Sequence, residues 1–342
     1  MKTIVLNPIA DTSSIKRAAA LLLAGEVVGM PTETVYGLAA NALDEAAVKK
    51  IFEAKGRPQD NPLIVHIAEA SALDQVSRDI PDAARRLAEA YWPGPLTMVL
   101  PRAGQIPDVV TAGLSTVGVR LPAHPIARAF IRQAGVPVAA PSANRSGRPS
   151  TTTAAHVLED MDGRIPAVID GGPCQVGVES TIVSLTGDKP RLLRPGGISL
   201  EQLRAVLGEV ALDRALREQI GDDVQVSAPG MKYRHYAPKA PVTVVCGAPE
   251  KTAAYIQKHL TNETGVLCFT EFAYLFEMHE MRTMGAALDP LTQARRIFDA
   301  LRSFDETIVQ EIYTQCPGDE GIGLAVANRL KKAAGFRVVT VV

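Results

Sequence analysis

Apolar residues recur along the chain at two spacings, one helical and one strand-like, and together they divide it into short elements. In residues 12–24, Ile15, Ala19, Leu22 and Leu23 form one face behind the capping residues Asp11–Ser13, and Gly25 supplies the stop. The run VVGM (27–30) predicts a buried strand. Asp44 opens a second helix with the face Ala47, Val48, Ile51 and Phe52, closing at Lys55-Gly56. Strands follow at 63–67, 96–100, 117–121, 136–140, 167–170, 180–185 and 191–193, and helices at 82–91, 126–134 and 199–207. Consecutive strands between 167 and 193 break strict βαβ alternation. The pattern therefore predicts an α/β fold with a mixed, twisted sheet flanked by helices.

The rhythm lapses over 208–240, where SAPGMKYRHYAP (227–238) is rich in Pro, Tyr and basic residues. It resumes with strands at 242–246, 265–269, 307–313 and 337–342 and helices at 250–260, 291–303 and 321–334. This predicts a domain over 1–207, a linker acting as a lid over 208–240, and a small Rossmann-like α/β domain over 241–342.

Composition narrows the function. In 342 residues, 46% are hydrophobic and 36 Lys plus Arg balance 37 Asp plus Glu, which excludes a disordered chain and a global polycation that coats nucleic acid. Aromatics at 5% leave little for a stacking platform on single strands. Cys174, Cys246, Cys268 and Cys316 are scattered without a Cys-x-x-Cys pair, so they read as small buried hydrophobes rather than zinc ligands or a disulfide framework. The N-terminus lacks the apolar stretch of a signal peptide and no run has the length of a membrane span, which leads to the expectation of a cytoplasmic protein without a membrane partner.

The strand-end loops carry the candidate chemistry. PTETVYGL (31–38), KGRPQDNPLIVH (55–66), WPGPLT (92–97), STVGVR (115–120), APSANRSGRPS (140–150), DGGPCQVGVEST (170–181) and LRPGGI (193–198) supply six cations and many hydroxyls and amides, but few carboxylates. Such a crevice suits phosphate and carboxylate oxygens. Walker, dinucleotide-binding and nucleophile-elbow motifs are all missing, as is a zinc-type His pair. Each residue alone has a plainer reading: a loop Arg as a solvated charge, Ser-x-Asn as a turn former, His66 as a core histidine, Tyr233 and Tyr236 as packing at a domain boundary.

Taken as an ordered set, the motifs PTETVYGL, KGRPQDNPLIVHI, WPGPLT, GVRLPAHP, PSANRSGRPS, VESTIV and LRPGGI resemble those of the threonylcarbamoyl-AMP synthases, in the long form with a YrdC-like domain, a SAPGMKYRHYAP-type linker and a small C-terminal α/β domain. The resemblance implies a nucleotidyltransferase that converts L-threonine, bicarbonate and ATP to L-threonylcarbamoyladenylate and pyrophosphate. That product feeds a separate threonylcarbamoyl transferase complex, which modifies adenosine 37 of tRNA. It implies Mg²⁺ carried with ATP, no protein metal site and no organic cofactor, with weak or transient contact with tRNA. It also implies a catalytic tetrad of Lys55, Arg57, Ser142 and Asn144; L-threonine contacts from Thr34, His66, Arg120, Ala140 (through its backbone) and Ser180; and ATP contacts from Arg57, Asn61, Thr116, Ser142, Ser150, Arg194 and Tyr233, with Tyr236 as the alternative to Tyr233. An RNA-binding module of the same fold is the competing reading.

Overall fold

The computed structural model describes residues 2–216 and 235–342. They fall into two compact units, one holding 2–146, 151–175 and 179–216, the other 147–150, 176–178 and 235–342. Of the linker expected to act as a lid over 208–240, residues 217–234, Tyr233 among them, lie outside the described residues, while 208–216 belong to the first unit, with Ala211–Leu212 paired to Arg191–Leu192, and 235–240 to the second.

The first unit runs β1 (Ile4–Leu6), α1 (Ser14–Leu23), β2 (Val28–Met30), β3 (Gly37–Asn41), α2 (Glu45–Lys55), β4 (Ile64–His66), α3 (Leu73–Val76), α4 (Asp82–Tyr91), β5 (Leu96–Pro101), α5 (Asp108–Thr111), β6 (Thr116–Arg120), α6 (Pro125–Ala134), β7 (Val138–Ala139), α7 (Ala154–Met161), β8 (Ala167–Ile169), β9 (Thr181–Ser184), β10 (Arg191–Arg194), α8 (Leu200–Leu207) and β11 (Ala211–Leu212). The strands form one mixed sheet of order β1-β8-β2-β3-β7-β4-β6-β5-β9-β10-β11. Residues alternate between its faces, so each strand feeds two cores. Val28, Met30 and Ala39 pack with Leu22 of α1 and Phe130 of α6. Leu38, Val65, Met98 and Val119 pack with Phe52 of α2, Leu87 of α4 and Leu203 of α8.

The second unit runs β12 (Val242–Cys246), α9 (Pro249–Lys258), β13 (Thr264–Phe269), β14 (Glu280–Gly285), α10 (Pro290–Ser303), β15 (Glu311–Gln315), α11 (Gly323–Ala333) and β16 (Val338–Thr340). Its five strands are all parallel, in the order β14-β13-β15-β12-β16. This is the expected α/β layering, with β15 inserted between β13 and β12 where the doubly wound order would place β12 beside β13.

Strands β1, β3, β11 and β14 and helices α3, α5 and α7 were not expected from the pattern, and β15 begins four residues later than the spacing suggested. β3 is Gly-Leu-Ala-Ala-Asn, almost without β-branched or aromatic residues, and it forms because β2 and β7 pair with it on either side. β15 carries Thr314 and Gln315, polar yet fully buried. Gln315 accepts from Phe269 N at 2.8 Å and donates to Pro249 O and Thr252 Oγ1, both at 2.8 Å, which satisfies the amide inside the core.

One local device bears directly on the site. Asp44 caps α2 by accepting from Ala46 N and Ala47 N. At the other end Gly56 adopts φ 61°, and the chain closes with Gly56 N–H donating to Glu53 O and Arg57 N–H donating to Phe52 O. That left-handed turn fixes where Lys55 leaves the last helical turn and where Arg57 begins the next segment. Gly56→Ala is expected to cost about 1–2 kcal/mol through the left-handed backbone alone, because a Cβ there meets no neighbouring atom. Urea unfolding should show a lower midpoint with an unchanged slope.

Candidate active site

Six neighbouring strands bring the motif residues to one end of the first unit's sheet. His66 on β4 lies in register with Arg120 on β6, Arg120 with Thr97 on β5, Thr97 with Ile182 on β9, and Ile182 with Arg194 on β10. Residues opposite one another in a ladder share a face, so His66, Arg120, Thr97 and Arg194 stand in one row. Two residues back along β6, Gly118 leaves that face without a side chain between Ile64 and Thr97, and Thr116 lies beyond it. Ala140 follows β7, and its N–H donates to Ile64 O at 2.9 Å.

Arg120 organises the centre of this row. It is 3% exposed, and its Nη2 lies 2.7 Å from Glu33 Oε1, also buried. Nη1 donates to Thr34 Oγ1 at 2.9 Å and Nε to Gly94 O at 3.4 Å. The contact with Glu33 is made off the hydrogen-bond axis, so Arg120 Nη2 and both Glu33 oxygens are buried without a hydrogen-bond partner. The Pro31-Thr32-Glu33-Thr34 turn holds itself in place: Thr32 Oγ1 donates to Val35 O at 2.6 Å and lies 2.8 Å from Thr34 Oγ1. Tyr36 extends the tie, accepting from Gly171 N at 3.1 Å and donating to Gly172 O at 2.7 Å. Glu33 and Tyr36 are thus structural partners of the site that the motif analysis did not single out. The available signal was Glu33 itself, a carboxylate inside an otherwise cationic loop set.

Lys55 is 4% exposed and donates through Nζ to the carbonyls of Ser142 and Asn144. Ser142 Oγ in turn donates to Asn144 Oδ1 at 2.5 Å. Three members of the expected tetrad are therefore one hydrogen-bonded unit. The fourth, Arg57, is half-buried beside Phe52, and its Nη2 donates to Asn61 O at 3.2 Å and Pro62 O at 3.4 Å. Asn61 is 1% exposed, with a side-chain oxygen that has no hydrogen-bond partner.

On the far side, Ser180 Oγ lies 2.8 Å from Thr97 Oγ1, and Arg194 Nη2 donates to Ser180 O at 3.0 Å and Ser180 Oγ at 3.2 Å. The glycines of LRPGGI permit this approach: a Cβ on Gly196 would sit 2.3 Å from both Glu179 O and Thr181 N. Two expected residues are not part of this assembly within the first unit. Ser150 belongs to the second unit, where its carbonyl accepts from Arg302. Tyr236 also belongs there, its ring 5.3 Å from that of Phe298 and stacked beneath the Arg329 guanidinium.

Burial and the adjacent Arg120 charge hold His66 neutral, with its pKa pushed down to about 3. Its Nδ1 lies 3.2 Å from Ile64 O. Between about pH 6.5 and pH 3 the unfolded chain binds a proton at this position that the folded chain does not. The stabilisation is complete above pH 6.5 and is lost as the pH falls towards 3. His66→Asn should remove up to one proton, about 1.4 kcal/mol per pH unit, from the slope of unfolding free energy across that window. Urea titrations at pH 7.5, 5.5 and 4.5 measure it.

A family model described as "Telomere recombination", that of the Sua5, YciO and YrdC proteins, matches residues 20–196, and a "Threonylcarbamoyl-AMP synthase, C-terminal domain" model matches 198–335. The chain is 50% identical to the threonylcarbamoyl-AMP synthase of Bacillus subtilis, over 95% of this chain and 94% of that one. It is 48% identical to that of Pyrococcus abyssi, over 96% of each. The crystal structure of P. abyssi Sua5 complexed with L-threonine superposes with a TM-score of 0.91 at 45% identity, covering 99% of this chain and 100% of that one. A hydrogen-bonded Lys-Ser-Asn unit, a buried Arg-Glu pair and the second α/β unit thus accompany matches that span both halves of the sequence, and the chain belongs to the threonylcarbamoyl-AMP synthase family, in its two-domain form.

Proposed function

We propose that this chain joins L-threonine, bicarbonate and ATP into L-threonylcarbamoyladenylate, releasing pyrophosphate, as the step that supplies tRNA N6-threonylcarbamoyladenosine at position 37. The observation that carries this reading is the row of cations and hydroxyls at one sheet end, in a chain of this family.

The amino acid fits the Arg120 side of the row. Arg120 would face the carboxylate, with Thr34 and Ser180 as hydroxyl partners and neutral His66 able to contact the ligand without adding charge. Ala140 has committed its N–H to Ile64, so its backbone contribution would come from the carbonyl. The amine of threonine and bicarbonate give a carbamate. A carbamate oxygen then attacks the α-phosphorus of ATP, a P–O bond forms, and the bond to pyrophosphate breaks.

The side chains would supply position and positive charge rather than a covalent nucleophile. Arg57 and Arg194 would stabilise charge building on the phosphoryl oxygens and the leaving group. Asn61, Thr116, Ser142 and Ser150 would hold the nucleotide, together with Tyr233. Lys55 would both shape the Ser142–Asn144 loop through two carbonyls and add its charge there. Mg²⁺ would arrive on the phosphates. Phosphate oxygens and water would form most of its shell, as is usual for Mg²⁺ carried by a nucleotide. The adenylate would pass to a separate transferase complex. Action in the cytoplasm is part of the same proposal; no helix among the described residues is long and apolar enough to cross a membrane.

Pyrophosphate release should need L-threonine and bicarbonate together; equal ATP turnover without threonine contradicts the reading. Arg57→Ala should lower kcat/KM roughly 30- to 1000-fold, the range for losing a charged contact to developing charge, with little change in the urea midpoint. Lys55→Met should lower both activity and the midpoint, because it strands two loop carbonyls.

A further inference from the structure

The second unit holds a pair of sulfurs that the synthase reaction does not use. β12 and β15 are parallel neighbours with Val245 opposite Gln315, and the ladder continues one residue further, where the Cys316 N–H donates to Val245 O at 2.9 Å. In a parallel ladder that bond sets Cys316 opposite Cys246 on the same sheet face. Neighbouring strands lie about 4.8 Å apart, inside the roughly 4.4–6.8 Å range of Cα separations that a disulfide spans. Both residues are free thiols, and each bears on the other's ionisation. Cys316 lies just past the last residue of β15, and Cys246 precedes Gly247 at φ 144°. Cys246 is also paired with Thr340 of β16, and its carbonyl accepts from Val341 N at 2.8 Å, so both sulfurs are carried on ordered strand ends.

The pair is chemically asymmetric. Cys246 is half-buried, and the neighbouring Cys316 thiol together with the Lys331 charge draws its thiol below the usual range. Cys316 is more deeply buried, and the neighbouring Cys246 thiol and burial push it up, with the Lys331 charge opposing and the Asp319 charge adding. One sulfur is thus suited to attack and the other to resolve. Burial pushes Cys268 up to about 12 and raises Cys174 as well, which leaves both inert. The expectation that all four cysteines are small buried hydrophobes holds for those two and not for Cys246.

We propose that Cys246 and Cys316 form a reversible dithiol–disulfide pair that exchanges electrons with low-molecular-weight disulfides. The Cys246 thiolate attacks one sulfur of the oxidant, breaking its S–S bond, forming a mixed disulfide and releasing one thiolate. Cys316 loses its proton to solvent and attacks the Cys246 sulfur, and the second thiolate of the oxidant leaves. Two protein thiols give up two electrons and two protons, and one disulfide is reduced to two thiols.

The full chain, folded and reduced, should be incubated with oxidised glutathione and digested with trypsin without reductant. The expected product joins peptides 240–251 and 303–329 with a mass about 2 Da below their sum. Its formation should be roughly tenfold faster than any reaction of Cys174 or Cys268. Cys316→Ser should stop at a stable glutathione adduct on Cys246, and Cys246→Ser should leave Cys316 unmodified over the same time. No cross-link in the wild type, a stable wild-type adduct on Cys246, or a link to Cys174 or Cys268 overturns the proposal. Unchanged reaction of Cys316 in the Cys246→Ser variant also overturns it.

Discussion

A guanidinium does not give up its proton inside a protein, and Arg120 is almost wholly removed from water. The charge must therefore be met where it stands. Glu33 meets it at 2.7 Å, and Thr34 and the Gly94 carbonyl take two of its N–H groups. Removing one partner of such a pair typically costs about 3–5 kcal/mol because the other is left charged and buried. The 31–34 turn is thereby fastened to the end of β6, and Tyr36 fastens the same segment to Gly171 and Gly172. The neighbouring His66 is kept neutral partly by this charge. The pair is poorly hydrogen-bonded for its depth, with orphaned oxygens on Glu33 and an orphaned nitrogen on Arg120. A ligand that brings a carboxylate and a hydroxyl would satisfy more of these groups than the protein satisfies alone.

The second cationic cluster is arranged differently. Lys55 spends hydrogen bonds on two carbonyls of the loop that carries Ser142 and Asn144, so its ammonium fixes the backbone of its own site. Arg57, two residues later and past a left-handed glycine, is half-buried and bound to the Asn61–Pro62 carbonyls. The proposed chemistry divides along the same line. In that proposal one end of the row would hold an amino acid through a buried ion pair, and the other would hold phosphates through loops ordered by charge.

Much of this was legible from the chain. Asp44 and Gly56 marked both ends of α2, and capping chemistry is local, so it survives in any tertiary setting. The central strands β4, β5 and β6 stood out because β-branched and aliphatic runs are flanked by Pro and Gly. β3 was hidden because its small residues have no strand preference of their own and pair only when β2 and β7 are present. β15 was displaced because Thr314 and Gln315 look like a surface and are instead satisfied within the core. For the site, the spacing of cations and hydroxyls suggested an anion-binding crevice, and the family resemblance supplied individual roles. Neither revealed Glu33 as the partner of Arg120, since that pairing depends on the 31–34 turn folding back onto β6, far along the chain.

The claim on which the rest depends is that the buried Arg120 guanidinium, held by Glu33 and Thr34, receives the carboxylate of L-threonine. Titration calorimetry of L-threonine into the full chain and into Arg120→Lys tests it, with circular dichroism confirming that both are folded. A lysine keeps the charge but loses the planar fork that can engage Glu33, Thr34 and a carboxylate together. The account predicts at least a tenfold loss of affinity, about 1.4 kcal/mol or more, in a folded variant. Binding of L-threonine to folded Arg120→Lys with wild-type affinity would contradict it.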